Sequence, residues 1–206
     1  MKLKKSVFQY RPAEFIPFRD LKAIERCRRI KKEDITRHPN PKFKISVVPD
    51  ADVEFLWIAD MFHRIKTAAD ENRQFVMITP NPWPNYTRIA YLINKFRVNC
   101  RKLHTFNMDE YANEKGEIAP KTWEFGFNHA FKKFFWSEID PKLRPPEKQV
   151  HGMTNQNIND YGKMLSDLGG ADICYSGPGW TGHIAFVEPD APEFAGSLAE
   201  WKQMGP

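Results

Sequence analysis

Short apolar segments alternate with helix-length periodic ones along most of the chain, and this alternation limits the fold more than any other feature. Residues 75–78, 103–106 and 171–175 read as buried-type strands, and residues 43–48 as a further strand. Between them, residues 53–69, 86–96, 122–136 and 155–168 carry helical periods, the third rich in aromatics. In the last, Ile158, Tyr161, Met164, Leu165 and Leu168 share one face, and Gly169-Gly170 supplies a stop. Strands separated by helices of this length imply βαβ units, whose right-handed crossovers give an α/β fold with a doubly wound, mostly parallel sheet, helices on both faces, and a Rossmann-like layout. Ligands in such folds bind beyond the carboxyl ends of strands. The chemistry is therefore expected in the loops after Ile78, Phe106 and Tyr175.

The first 41 residues read as a basic N-terminal extension. Apolar positions at Phe15, Phe18, Leu21, Ile24 and Ile30 give it a loose helical spacing, and Pro39-Asn40-Pro41 breaks it. Through Lys44 the chain has 14 Lys+Arg against 5 Asp+Glu, a surplus of 9 within an overall net charge of +5, so the remainder is acidic by 4. A basic arm can meet nucleic acid, but this one lacks the aromatic interleaving of a base-stacking platform, and a solvated helical face is the preferred reading. Residues 42–206 form the second expected unit, an α/β domain whose last segment, 199–204, looks like the start of an element cut short. With 41% apolar residues in 206, one sizeable core is expected. No stretch is apolar for long enough to span a bilayer, and Met1-Lys2-Leu3-Lys4-Lys5 leads into no signal segment, so a cytoplasmic protein is expected. Cys27, Cys100 and Cys174 are odd in number and far apart, which argues against a disulfide framework and a zinc site; no metal or other cofactor is expected.

Two loops hold residue types that can do chemistry. Asp109 and Glu110 are adjacent carboxylates at a strand's carboxyl end, where a partly desolvated acid can act as a general base. The alternative is that one or both cap the following turn or pair with a lysine. After Tyr175, Ser176-Gly177-Pro178-Gly179-Trp180-Thr181-Gly182 has glycines that let backbone amides approach a ligand, and His183 follows directly. His183 can shuttle protons near neutral pH with Glu188 orienting it, or it is simply a structural histidine.

Residues 103–111, Leu-His-Thr-Phe-Asn-Met-Asp-Glu-Tyr, and residues 179–189, Gly-Trp-Thr-Gly-His-Ile-Ala-Phe-Val-Glu-Pro, resemble two signature segments of the glucosamine-6-phosphate deaminase/isomerase family. The resemblance runs from about Phe43 to Pro189. It implies a sugar-phosphate isomerase-like domain, incomplete at its C-terminus, that acts as an aldose–ketose isomerase/deaminase on an amino-sugar phosphate. Asp109 would then move the proton between C2 and C1 of the opened sugar. His183 would assist ring opening, with Glu188 holding it. Thr79, Asn81, Gly177, Gly179, Thr181 and Gly182 would bind substrate.

Three departures from the family pattern qualify these implications. Thr181 stands where the family has a second acid beside the histidine, and Val187 where it has an asparagine. Thr79-Pro80-Asn81-Pro82-Trp83-Pro84 replaces a glycine-rich loop that holds the sugar phosphate, and each proline removes an N–H donor. Two further readings follow: a sugar-phosphate-binding or regulatory protein with weakened chemistry, and a hydrolase like the 6-phosphogluconolactonases, which share the fold. The implied partner is a small-molecule sugar phosphate, with no membrane, nucleic acid disfavoured, and a homo-oligomer left open.

Overall fold

The computed structural model describes residues 21–179, 183, 196–197 and 199–200. The chain divides into two compact units, Met1–Val47 with Pro178–Trp201, and Val48–Gly177 with Lys202–Pro206.

The second unit contains the sheet. Strands β1 (Phe75–Thr79), β2 (Leu103–Asn107), β3 (Val150–His151) and β4 (Ile173–Cys174) all run parallel, in the order β3-β2-β1-β4. The chain steps outward from β1 through β2 to β3 and then returns to the other side of β1, as a doubly wound sheet does. The expected α/β class is therefore the observed one. Helix α2 (Asp50–Asp70) opens with Asp50 and Asp52 at the positive end of its dipole, and it buries Ile58, Met61, Ile65 and Ala68, spaced as one helical stripe. Helix α3 (Tyr86–Lys95) buries Tyr86, Ile89, Ala90 and Ile93 in the same manner. Helix α4 (Phe127–Phe131) runs into a π-helical turn, Lys132–Trp136, and Phe131 and Phe135 join the same core. These helices share a core with the face of the sheet that carries Phe75, Met77 and Leu103. Each fully buried side chain of this size contributes roughly 1.5–3 kcal/mol. On the opposite face, Phe106 packs edge-on against Tyr161, the first residue of α5 (Tyr161–Asp167), with ring centroids 5.4 Å apart.

Four local expectations are corrected. Residues 43–48 hold no strand; Phe43 and Val47 are exposed, and alternation without a partner strand gives the backbone no ladder to join. The third helical segment begins at Phe127 rather than at residue 122, because residues 121–125 turn and Gly126 precedes a helix whose first amides are capped from another loop. The fourth begins with a 3-10 turn at Ile158–Asp160 rather than at residue 155. The last expected strand shortens to β4, and β3, too short to show a period, was not expected. In the first unit, α1 (Leu21–Arg28) gives part of the expected extension its helical form; the positions Phe15 and Phe18 lie outside the described residues.

Candidate active site at the strand ends

Parallel register sets Thr79 of β1 beside Asn107 of β2, so the loops that follow leave the sheet at one level. They are stitched together at once. The Met108 amide donates to the Thr79 carbonyl (3.0 Å), and the buried Thr79 hydroxyl donates to the Phe106 carbonyl (3.3 Å). The Asn81 side-chain Nδ2 donates to Asn107 Oδ1 (3.1 Å), Asn107 Nδ2 donates to Asn128 Oδ1 (3.3 Å), and Asn128 Nδ2 donates to the Met153 carbonyl (2.9 Å). Gly152 makes room for this relay, since a Cβ there would land on Asn128 Oδ1. Sequence reasoning had no access to Asn107 and Asn128 as partners: 21 residues separate them, and their meeting depends on tertiary structure.

The two acids after β2 have different surroundings. Glu110 is a helix cap: Oε1 accepts the amides of Phe127 (2.9 Å) and Tyr111 (3.0 Å), and Oε2 accepts the amide of Asn128 (2.6 Å). Placed at the N-terminus of α4, its charge also meets the favourable end of the helix dipole. The capping alternative read from sequence thus applies to Glu110. Asp109 is half-buried, and its Oδ1 is withdrawn from solvent.

The loop after β1 is built from carbonyls and rings. The Asn81-Pro82 peptide is cis. Buried Tyr86 donates its hydroxyl to the Pro80 carbonyl (2.7 Å), while its ring meets Trp83 edge-on at 4.9 Å. Burial pushes the Tyr86 phenol far above its ordinary pKa, so it acts here as a donor. The first amides of α3 are already used, with Tyr86 donating to Trp83 (3.1 Å), Thr87 to Pro84 (3.2 Å) and Arg88 to Asn85 (2.9 Å). Together with three prolines, this leaves the loop few N–H groups for an anion.

After β4, Tyr175 donates its hydroxyl to Asp60 Oδ2 (2.7 Å) and stacks on Trp57 at 5.9 Å; Trp57 in turn stacks on Trp83 at 4.8 Å. An added Cβ at Gly177 would meet nothing within 4 Å, so that glycine borders open space. The second unit therefore brings Thr79, Asn81, Asp109 and Gly177 to the carboxyl ends of its strands. In the first unit, the Gly179 amide donates to the His183 carbonyl (2.9 Å), and a Cβ on Gly179 would land on the His183 imidazole. This glycine is required by a close approach of the candidate histidine. Thr181, Gly182 and Glu188 lie outside the described residues.

Behind β2, His104 Nδ1 lies 3.3 Å from His151 Nε2, and the His151 ring stacks on Phe106 at 4.3 Å. Burial, then the neighbouring His104 and Lys121 charges, lowers the His151 pKa to about 4. Burial also lowers that of His104. Among the described residues, no group of three or more His, Cys, Asp and Glu side chains is arranged to hold a metal ion, and no helix is long and apolar enough to cross a membrane.

No protein-family model matches the chain. It is 33% identical over 129 residues to a glucosamine-6-phosphate deaminase of Dictyostelium discoideum, covering 58% of this chain and 45% of that protein. To the glucosamine-6-phosphate deaminase of Phocaeicola vulgatus it is 31% identical over 158 residues, covering 69% of this chain and 56% of that one. The chain thus spans about half the length of the curated relatives it matches. Among solved structures, a monomeric glucosamine-6-phosphate deaminase described as a missing link of the NagB superfamily superposes with a TM-score of 0.53 at 19% identity, over 65% of this chain and 56% of the other, a likeness of fold. The chain is a divergent relative of the glucosamine-6-phosphate deaminase/isomerase family.

Proposed function

We propose that this chain carries the proton-transfer half of an aldose–ketose isomerase/deaminase that converts an amino-sugar phosphate, such as glucosamine-6-phosphate, to fructose-6-phosphate and ammonia. The observation that carries the reading is the division between the two acids after β2: Glu110 is engaged as the cap of α4, while Asp109 stands at the strand's carboxyl end with Oδ1 withdrawn from solvent. Such a carboxylate is a competent base toward a carbon acid. Asp109 takes the C2 proton of the opened sugar and returns it to C1 through an enolic intermediate; water then replaces the nitrogen at C2, and ammonia leaves. His183, which follows Gly179 in close contact, assists opening of the ring, and Glu188 orients it. The family resemblance assigns substrate binding to Thr79, Asn81, Gly177, Gly179, Thr181 and Gly182.

A second reading is a sugar-phosphate-binding protein with weakened chemistry, favoured by the proline-rich loop in which the first amides of α3 are already engaged. Incubation with glucosamine-6-phosphate, reading ammonia and fructose-6-phosphate together, separates the two. Turnover that falls by about 10³-fold in Asp109→Asn supports the enzyme. Binding without turnover in the unmodified chain supports the second reading, and turnover that survives Asp109→Asn removes Asp109 from the chemistry.

A further inference from the structure

We infer that Asn81 is a specificity residue that receives a hydrogen bond from a hydroxyl or amino group of the bound sugar through its side-chain carbonyl. The inference rests on the sugar-phosphate reading above and gives the proline-rich loop a different task from phosphate recognition. Its basis is the fixed direction of the amide relay. The Met153 carbonyl can only accept, so Asn128 must present Nδ2 to it (2.9 Å) and Oδ1 to the next amide. Asn107 then gives Nδ2 to Asn128 (3.3 Å) and keeps Oδ1 for Asn81 (3.1 Å). A second obligate acceptor, the Thr79 carbonyl, lies 3.4 Å from the same Asn81 Nδ2. Turning the Asn81 amide over would set its oxygen against two acceptors, so its orientation is decided twice.

What remains is Asn81 Oδ1, shielded from solvent and with no hydrogen-bond partner among the described residues. A buried acceptor without a donor is a standing cost to the fold, and that cost is recovered when a donor arrives. A phosphate dianion brings only acceptors and is repelled by a carbonyl oxygen, whereas sugar hydroxyls and ammonium groups bring donors. Flanking Pro80 and Pro82 have no N–H with which to satisfy it. Admission of the donor requires the loop to yield around Asn81.

Calorimetric titration of the full chain and of Asn81→Leu tests this, using glucosamine-6-phosphate, analogues each lacking one hydroxyl or the amino group, and inorganic phosphate. In the unmodified chain one deletion should weaken binding by about 10-fold, and in Asn81→Leu that same deletion should cost under about 2-fold. Inorganic phosphate should bind both proteins equally. Equal losses in both proteins for every deletion, or weaker phosphate binding by Asn81→Leu, would overturn the assignment. Sugar binding without this coupling removes the role of Asn81 alone; absence of all sugar binding by the unmodified chain removes the functional reading as well. Should Asn81→Leu fail to melt cooperatively, Asn81→Ser replaces it with the same pair of outcomes.

Discussion

The loops after β1 and β2 leave neighbouring strands at the same level, yet they solve opposite problems. The β2 loop brings two carboxylates to a strand end and gives one of them, Glu110, three backbone amides. The β1 loop brings three prolines and an asparagine, and its polar groups other than Asn81 Oδ1 are largely spent on tying it to β2 and to α3. A charged side chain near a site needs its neighbour's charge absorbed elsewhere, which a helix N-terminus does well. A loop poor in N–H groups cannot bind anions by its backbone and is left to recognise ligands by side chains and carbonyls.

The largest effect should come from removing the cap. Glu110→Ala strips three amides of a charged acceptor and is expected to cost about 3 kcal/mol in urea unfolding, whereas Asp109→Asn should stay within about 1 kcal/mol of the unmodified chain. Equal losses in the two variants would break the division between cap and candidate base.

Next is the relay that joins the two loops. Gly152→Ala drives a methyl into Asn128 Oδ1 and is expected to destabilise by about 2 kcal/mol. Asn128→Ala should also destabilise, and the double variant should cost less than the sum of the two, because the clash and the lost hydrogen bonds involve one side chain. Strict additivity would show that the cost of Gly152→Ala does not come from the clash with Asn128.

The sequence showed the frame of these loops better than their wiring. Apolar period alone placed β1, β2, α2 and α3, since each buries a continuous stripe or segment. Asp109 and Glu110 could be located at a strand end but not told apart, because two of the three amides that capture Glu110 belong to residues 17 and 18 positions further on. The same distance hid the start of α4. Residues 43–48 misled in the reverse direction: an alternating apolar pattern says nothing about whether a partner strand exists. The Pro80–Pro84 loop was legible as poor in donors, but not the direction in which Asn81 presents its amide, which is decided at Met153.

The smallest expected effect distinguishes the two loops by pH. The folded His151 pKa of about 4 lies below its ordinary value near 6.5, so the folded chain binds its proton later than the unfolded chain as pH falls. The stabilisation is fully present above about pH 6.5 and is lost as pH falls toward about 4, amounting to about 1 kcal/mol once the solvent-facing part of the ring is allowed for. His151→Gln should flatten that part of the stability profile. The Tyr161 hydroxyl lies 3.0 Å from both the His151 and the Asn107 carbonyls, so strain from protonating the ring is passed to the end of β2. Amide hydrogen exchange followed from pH 7 to pH 5, corrected for intrinsic rates, should rise at Met108 before it rises at Tyr86, whose amide donates to the Trp83 carbonyl. A simultaneous rise would mean that the two loops open as one unit, and the contrast between them would then be one of composition alone.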